Sequence, residues 1–220
     1  MKNLIKKILK EYKEEEKILV VPSLKYFGDD WNALQLFLKS KGNPKWKILD
    51  NLYLHGTSID SLGNLISVGD DLDLRYAEIK SFGNLQHVGG DLYLYGTSIK
   101  SLGNLISVGD NLDLNDTQIE SLGNLQSVGG DLYLNRTPIE SLGNLISVGG
   151  DLYLRDTQIE SLGNLQSVGG YLNLINTPIE SLGNLISVGG NLDLRYTPIS
   201  KKYTEEEIRQ MVDVKGNIYM

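Results

Sequence analysis

The chain has 220 residues, 24 glycines, no cysteine and a formal net charge of −7 at pH 7. The absence of cysteine excludes disulfide frameworks, cysteine-ligated zinc, iron–sulfur clusters and thiol nucleophiles. Residues 1–50 carry 11 lysines against 7 acidic residues, whereas residues 51–200 carry 6 basic residues against 17 acidic ones. Because an acidic surface repels phosphate, nucleic acid is not an expected partner of residues 51–200.

Residues 1–50 are predicted to form a helical N-terminal cap. Apolar residues at helical spacing predict an amphipathic helix from Lys2 to about Lys17. A second helix is predicted from Asp30 to Lys41, with Gly42 ending it. We interpret both helices as a cover for the first repeat. The alternative for the first helix is that its lysine-rich face docks on an acidic partner or a membrane surface.

The sequence gives no sign of membrane insertion or export. No stretch approaches the roughly 18 apolar residues that a membrane span needs. Residues 1–10 also lack the apolar core and cleavage site of a signal peptide. We therefore expect a cytoplasmic protein with no membrane partner.

Residues 51–200 repeat with a period of 20 residues, in the form D-L-x-L-x-x-T-x-I-x-S-L-G-N-L-x-S-V-G-G. A fixed period of this length is typical of a solenoid. Each Leu-x-Leu segment predicts a short strand that pairs in parallel with its copy one repeat on, about 4.8 Å away. The segment between Ile159 and Val168 is too short and too glycine-rich for an α-helix, so tight turns or 3₁₀ pieces are expected there. The pair Gly169-Gly170 is expected to supply a corner with positive φ.

The same residues can be written as Leu145-x-x-Val148-x-x-Leu152-x-Leu154-x-x-Thr157-x-Ile159. This pattern resembles the leucine-rich repeat family, whose form is L-x-x-L-x-x-L-x-L-x-x-N-x-L, and the resemblance covers residues 51–200. It implies an α/β-type solenoid, a right-handed superhelix with a parallel β-sheet on the concave face and a thin convex side of turns and 3₁₀ pieces. Threonine, or Ala77, replaces the family's ladder-forming asparagine. The asparagines equivalent to Asn164 are expected to take over part of that ladder. The repeats are also similar to those of uncharacterised bacterial and phage proteins.

Residues 201–220 are predicted to form a C-terminal cap. The run Thr204-Glu205-Glu206-Glu207 has the pattern of a capping box that opens a short helix. Residues 214–220 keep the spacing of residues 148–154, which predicts one last strand. Because an edge strand can pair with another chain, a homodimer through this C-terminal edge is predicted.

The outward strand positions of the repeats form the candidate partner-binding surface. Tyrosine and arginine, the residue types that dominate interface hot spots, are frequent there. The resemblance points the same way, because leucine-rich repeats usually bind partner proteins on the concave strand face. The alternative is that the residues at these solvent-facing positions vary without functional constraint and that tyrosine is present because it favours strands. The candidate residues are Tyr53, Asp73, Arg75, Tyr93, Tyr95, Asp113, Tyr133, Tyr153, Arg155, Asp193 and Arg195.

Nothing in the sequence indicates catalysis, a cofactor or a metal. The two histidines, His55 and His87, occupy different positions of the repeat and share no site with a serine or a carboxylate. The repeated serines, such as Ser101, are expected to bond to nearby backbone. Stacked acids such as Asp71 and Asp91 lack the spacing of calcium-binding repeats and are expected to be solvated. No phosphate-binding loop pattern occurs.

The sequence therefore predicts a non-enzymatic module that recognises a partner protein through the concave strand face. A stacked core would display this surface rigidly, so few side chains would need ordering on binding. Three alternatives stay open: an oligomer that sequesters a small molecule, a phage inhibitor of a host defence factor, and a structural spacer in an assembly.

Overall fold

A computed structural model describes residues 18–220 and shows a β-solenoid of parallel sheets with few helices. The helix predicted for Lys2 to Lys17 lies outside the described residues. The helices are α1 (Trp31–Ser40), α2 (Pro198–Lys202) and α3 (Glu205–Met211), with a 3₁₀ turn at Leu24–Phe27. Within residues 18–220, none of these helices has the length and apolar character needed to cross a membrane.

The described part of the chain, residues 18–220, contains nineteen short strands. They are β1 (Ile18–Val21), β2 (Lys45–Ile48), β3 (Leu52–Tyr53), β4 (Leu65–Val68), β5 (Leu72–Asp73), β6 (His87–Val88), β7 (Leu92–Tyr93), β8 (Ser107–Val108), β9 (Leu112–Asp113), β10 (Ser127–Val128), β11 (Leu132–Tyr133), β12 (Ser147–Val148), β13 (Leu152–Tyr153), β14 (Ser167–Val168), β15 (Leu172–Asn173), β16 (Ser187–Val188), β17 (Leu192–Asp193), β18 (Asp213–Val214) and β19 (Ile218–Tyr219).

The strands form two parallel sheets, so each 20-residue turn of the solenoid, here called a coil, crosses both. The serine sheet has ten strands, β1 followed by the even-numbered strands from β2 to β18. The tyrosine sheet has nine strands, the odd-numbered strands from β3 to β19. Equivalent residues of successive coils are partners in both sheets, for example Val128 with Val148 and Leu132 with Leu152.

The return path differs from the prediction. Turns and 3₁₀ pieces alone were expected there, but each return path contributes a strand to the serine sheet. Within the described residues, the 3₁₀ turn lies in the N-terminal region at Leu24–Phe27 instead. The physical reason is that exact stacking places each Ser-Val segment beside its own copy, so its backbone groups find hydrogen-bond partners in the neighbouring coil.

The core is built from the same inward positions in every coil, as predicted. In the coil from residue 131 to 150, six apolar side chains are at most 2% exposed; they are Leu132, Leu134, Ile139, Leu142, Leu145 and Val148. The side chain of Thr137 joins them at 3% exposure. Its hydroxyl donates to the carbonyl oxygen of Leu134 at 2.8 Å, which satisfies a buried polar group inside the coil.

The glycines of the Gly-Gly pairs have a different role from the one predicted. Positive φ occurs not at Gly169 or Gly170 but at the glycine of each Ser-Leu-Gly-Asn turn, such as Gly163 with φ 56°. At Gly169, a Cβ atom would overlap the carbonyl oxygen of Gly149 in the preceding coil. Glycine is therefore required there because the backbones of successive coils approach too closely for a side chain.

A ladder of aspartates and asparagines joins the coils just before the tyrosine sheet. The Oδ1 atom of Asp131 accepts the backbone N–H of Asp151 at 2.7 Å, and the Oδ1 atom of Asn111 accepts that of Asp131 at 2.8 Å. The predicted asparagine column makes inter-coil bonds as well, for example from Asn84 Nδ2 to Asn64 Oδ1 at 3.0 Å. The main ladder was missed in the sequence, although Asp or Asn precedes every tyrosine-sheet strand from β3 to β17 except that of Tyr171.

The described part of the N-terminal region contains strands as well as the predicted second helix. Helix α1 begins after Asp30, whose carboxylate accepts the N–H groups of Asn32 and Ala33, and it buries Leu34 and Leu38. Strands β1 and β2, on either side of α1, pair in parallel and extend the serine sheet by two strands. The prediction of a purely helical cap was therefore incomplete.

The C-terminal region closes the other end of the core. The predicted capping box at Thr204 and Glu207 is present at the start of α3. Ile208 and Val212 are at most 2% exposed and cover the last coils. The predicted last strand is β19, which pairs with β17 through Leu192 and Ile218.

Candidate partner-binding face

The structure brings all the candidate residues onto the outward side of the tyrosine sheet. This tyrosine face consists of the residue that follows the first leucine of each Leu-x-Leu segment and the residue two positions later. Tyr53, Arg75, Tyr95, Arg155 and Arg195 are exposed, and Tyr93, Asp113, Tyr133 and Tyr153 are half-buried. Asp73 and Asp193 are buried, at 4% and 1% exposure.

The two buried aspartates correct the sequence prediction, because they are not free to contact a partner. The carboxylate of Asp73 accepts hydrogen bonds from Arg75 Nε at 3.0 Å and from Arg75 Nη2 at 2.6 Å. Asp193 and Arg195 repeat this geometry at 2.9 and 2.6 Å. A two-point contact with a planar guanidinium fixes the arginine, so these aspartates position Arg75 and Arg195 on the face.

The electrostatics of these pairs favour the ionised carboxylates. Burial opposes ionisation of Asp73, but the side-chain and backbone hydrogen bonds from Arg75 outweigh it and lower the pKa of Asp73. Burial likewise opposes ionisation of Asp193, while bonds from Arg195 and Tyr171 lower its pKa. Both pairs therefore stay charged and intact at neutral pH.

Three tyrosines of the face donate their hydroxyl groups to the ladder aspartates of their own strands. The bonds are Tyr93 to Asp91 at 2.6 Å, Tyr133 to Asp131 at 2.8 Å and Tyr153 to Asp151 at 2.8 Å. The hydrogen bond to the carboxylate, together with burial, raises the pKa of Tyr93 and of Tyr133 to about 12. Each of these three aspartates thus binds the neighbouring coil with one oxygen and orients a tyrosine with the other.

A continuous run of aromatic rings crosses three coils. The rings of Tyr133 and Tyr153 stack with centroids 5.0 Å apart and an interplanar angle of 4°. Tyr171 meets Tyr153 edge-on, with centroids 5.9 Å apart. Its hydroxyl donates to the carboxylate of Asp193 at 3.0 Å, which links it to the next coil. The sequence places Tyr171 in the same polar strip, although it is not among the candidate partner-binding residues; it is the one tyrosine at the ladder position.

Two exposed tyrosines directly beside the tyrosine face were missed in the sequence. Tyr76 and Tyr196 end two copies of the sequence Leu-Asp-Leu-Arg-Tyr, at residues 72–76 and 192–196. Both have positive φ, at 58° and 61°, and both are well exposed, at 64% and 79%. The adjacent arginines lie over aromatic rings, Arg75 over Tyr93 at 5.2 Å and Arg195 over Tyr219 at 5.6 Å. The repeated pentapeptide is the sequence signal that could have identified them.

Two concave regions lie away from the centre of this face. An open trough of about 550 Å³ follows the serine sheet and is lined by serine, valine and glycine of five coils and by Lys215. A cleft of about 260 Å³ lies where the N-terminal region meets the first coil. The polar residues of this cleft are Ser23, Lys25, Asp29, Asp50, Asn51, Tyr53 and His55.

Contrary to the sequence prediction, each histidine lies beside a carboxylate or a serine. His55 lies 4.0 Å from Asp73 on the tyrosine face, whereas His87 contacts Ser107 at 2.9 Å on the serine sheet. The hydroxyl of Ser101 accepts the N–H of Gly103 at 3.1 Å, which confirms the predicted local backbone role of the turn serines. Within residues 18–220, no cluster of three or more His, Asp or Glu residues is arranged to hold a metal ion.

Fold and site together define a β-solenoid repeat protein with a polar, aromatic face on one of its two sheets. No protein-family model, curated protein or solved structure matches the chain.

Proposed function

We propose that the chain is a non-enzymatic recognition module that binds a partner protein through its tyrosine face. The observation that supports this most directly is that hydrogen bonds within the chain already fix several side chains of the face. The hydroxyls of Tyr93, Tyr133 and Tyr153 are held by aspartates 2.6–2.8 Å away. Side chains that are fixed before binding lose little conformational entropy on binding, so their contacts contribute more to affinity.

The partner that fits this face has a basic or polar surface. Residues 51–200 carry 17 acidic residues against 6 basic ones, so the field around the solenoid attracts positive charge. The arginines at the two ends of the face, Arg75 and Arg195, are paired with buried aspartates and therefore add little net charge. Hydrogen-bonding tyrosine hydroxyls and aromatic ring edges would supply the short-range contacts at the centre.

We further propose that the repeat is a variant of the leucine-rich repeat and that the tyrosine face is its concave side. In support, the positions that match the family's leucines are buried, including Leu145, Leu152 and Ile159 at 0% exposure. The ladder aspartates supply the inter-coil bonds that the family's asparagine would supply. A crystal structure tests this directly, because a stack that is flat, left-handed or curved toward the serine sheet contradicts it.

The binding proposal is tested with two double variants, one on the tyrosine face and one outside it. The face variant combines Tyr133→Ala and Tyr153→Ala, and the control combines Gln126→Ala and Gln166→Ala, which are exposed positions outside the face. Each tagged protein is used to capture partners from lysate of its source cells, with quantitative mass spectrometry of the bound proteins. We expect one stoichiometric partner with the wild type and the control and at least a roughly tenfold loss with the face variant, since central aromatics dominate interface energies.

The outcome that contradicts the proposal is capture that survives in the face variant while its circular dichroism spectrum matches the wild type. An equal loss in the control variant would also count against it, because binding would then not depend on the tyrosine face. Higher salt is expected to slow association of a basic partner, which stopped-flow measurements on the purified pair would show.

Small-molecule sequestration is a second candidate, supported by the cleft beside the first coil. Its volume is about 260 Å³. Ligand pockets usually have volumes of about 300–1,000 Å³, so the cleft is slightly smaller than that range. Lys25, Asp50 and His55 give it both signs of charge for a small polar ligand. Native mass spectrometry of protein from its source cells distinguishes the two: an adduct of small mass that is lost in Lys25→Ala supports sequestration, and a protein adduct supports recognition.

A further inference from the structure

The serine sheet follows one hydrogen-bonding rule from coil to coil. The N–H groups of a Gly-Gly pair donate to carbonyl oxygens of the preceding coil, as Gly189 does to Val168 and Gly190 does to Gly170, both at 2.8 Å. The last described coil obeys the rule, because Lys215 donates to Val188 at 3.0 Å and Gly216 donates to Gly190 at 2.9 Å.

The rule identifies the acceptors at the edge of β18. Val214 occupies the position of Val188, its partner in the sheet, and Gly216 occupies the position of Gly190. The carbonyl oxygens of Val214 and Gly216 are therefore two of the acceptors that an added strand would use. An edge with open acceptors is a template for pairing with another chain.

Both acceptors are already taken by one side chain. Arg209, in helix α3, donates from Nη1 to the carbonyl oxygen of Val214 and from Nη2 to that of Gly216, each at 2.9 Å. Its Nε atom donates to Glu205 at 3.0 Å, one turn earlier in the same helix, which orients the guanidinium. The rigid fork of an arginine thus takes the place of the two N–H groups of a further coil.

Strand β18 and the residue after it carry charge where most other coils carry serine and glycine. Asp213 pairs with Ser187 of the preceding strand, and Lys215 follows in the position held by glycine in the preceding coils. The two side chains form an ion pair of 2.7 Å and both are more than half exposed. Charged residues on an edge strand are a recognised protection against pairing between sheets, so this second feature points the same way.

We propose that Arg209 closes the β18 edge of the serine sheet against strand addition by a second copy of this chain. A second copy can bring its own β18 edge to this one about a two-fold axis, which pairs the two strands antiparallel. The backbone N–H and carbonyl of Val214 in each copy would then bond to those of the other copy, and Arg209 occupies that carbonyl. The homodimer predicted from the sequence would then have to use β19, whose tyrosine-sheet edge Arg209 does not reach. The proposal is independent of whether the tyrosine face binds a partner protein.

The test compares Arg209→Ala with the wild type and with Lys201→Ala, which removes an exposed positive charge from neighbouring helix α2. Sedimentation velocity of each full-length protein is recorded over a wide range of concentration. We expect the weight-average mass of Arg209→Ala to rise roughly twofold or more above that of the wild type, since a two-fold contact doubles the mass. Lys201→Ala should match the wild type at every concentration.

A folded Arg209→Ala protein with the mass of the wild type throughout would overturn the proposal. Equal association of Lys201→Ala would overturn it too, because lost charge rather than an open edge would then be the cause. If circular dichroism shows that Arg209→Ala does not fold, Glu205→Ala replaces it, since that change only releases the guanidinium. The same rise in mass is expected for Glu205→Ala, and wild-type mass again refutes edge closure.

Discussion

At the scale of single residues, the aspartates of the tyrosine face and the residues that they orient have different roles. The aspartates act within the chain: Asp131 joins two coils and holds Tyr133, and Asp73 holds Arg75. The tyrosines and arginines that they orient remain at the surface. A buried charge without its partner is costly, which is why Asp73 and Asp193 occur together with arginines two residues later.

The Tyr133–Asp131 bond predicts a stability loss at high pH. The pKa of Tyr133 is raised to about 12 in the folded state, chiefly by the hydrogen bond to Asp131, whereas an unfolded tyrosine ionises near 10. Because the folded pKa is the higher one, the contribution is complete below about pH 10 and is lost as the pH rises toward 12. We expect Tyr133→Phe to reduce the pH dependence of the free energy of unfolding above about pH 10.

Urea titrations of the wild type and Tyr133→Phe from about pH 8 to about pH 12 measure this effect. Tyr53→Phe, at an exposed position of the same face, is the control and should follow the wild type. Parallel curves for the wild type and Tyr133→Phe would show that the hydrogen bond to Asp131 has no influence on ionisation.

At the scale of elements, strands of two residues are held by their neighbours and not by their own length. Each coil contributes a two-residue strand such as β11 to the tyrosine sheet, and this is far below the five or six residues of an ordinary strand. The ladder of aspartates and asparagines compensates by adding a side-chain bond between most successive coils. Tyr171 interrupts it, and its own hydroxyl reaches Asp193 in the next coil instead.

The ladder predicts that two substitutions of Asp131 lower the free energy of unfolding by different amounts. Asp131→Ala leaves the backbone N–H of Asp151 without its acceptor, so we expect a loss of about 1–3 kcal/mol in the free energy of unfolding. Asp131→Asn keeps an amide oxygen for the ladder bond, as Asn111 does naturally, and loses only the carboxylate oxygen that accepts from Tyr133, so its loss should be clearly smaller. Urea unfolding midpoints compare the two, and an equal loss in both would assign the effect to the Tyr133 contact rather than to the ladder.

At the scale of the whole molecule, the coils stabilise one another through neighbour contacts alone. Equivalent residues are partners along both sheets, so a coil contacts the coil before it and the coil after it. Stability in such a stack is close to a sum over coils and their interfaces. After the last coil, the sequence departs from the repeat and buries Ile208 and Val212 instead of the inward leucines.

Whole coils are therefore expected to be removable in units of the period. Deletion of residues 111–150 removes two coils and joins Asp110 to Asp151 in register, so the product should fold with a similar circular dichroism spectrum and a lower urea midpoint. Deletion of residues 111–140 breaks the register by half a coil and should abolish cooperative unfolding, because inward leucines would then face solvent. Equal behaviour of the two deletions would contradict nearest-neighbour stacking.

The 20-residue period predicted a solenoid, its six inward apolar positions and, by its spacing, the last strand. Apolar spacing and capping patterns outside the repeat predicted α1 and the capping box at Thr204. These features depend on local pattern: apolar spacing, caps and turn residues act between positions close in the chain. The tertiary structure decided what depends on the distance between coils. It placed a second sheet on the return path, gave the Gly-Gly pairs their role in close approach, buried Asp73 and Asp193, and seated Arg209 on the carbonyls of Val214 and Gly216. Those contacts join residues of different coils or different elements, and their geometry exists only once the coils are stacked.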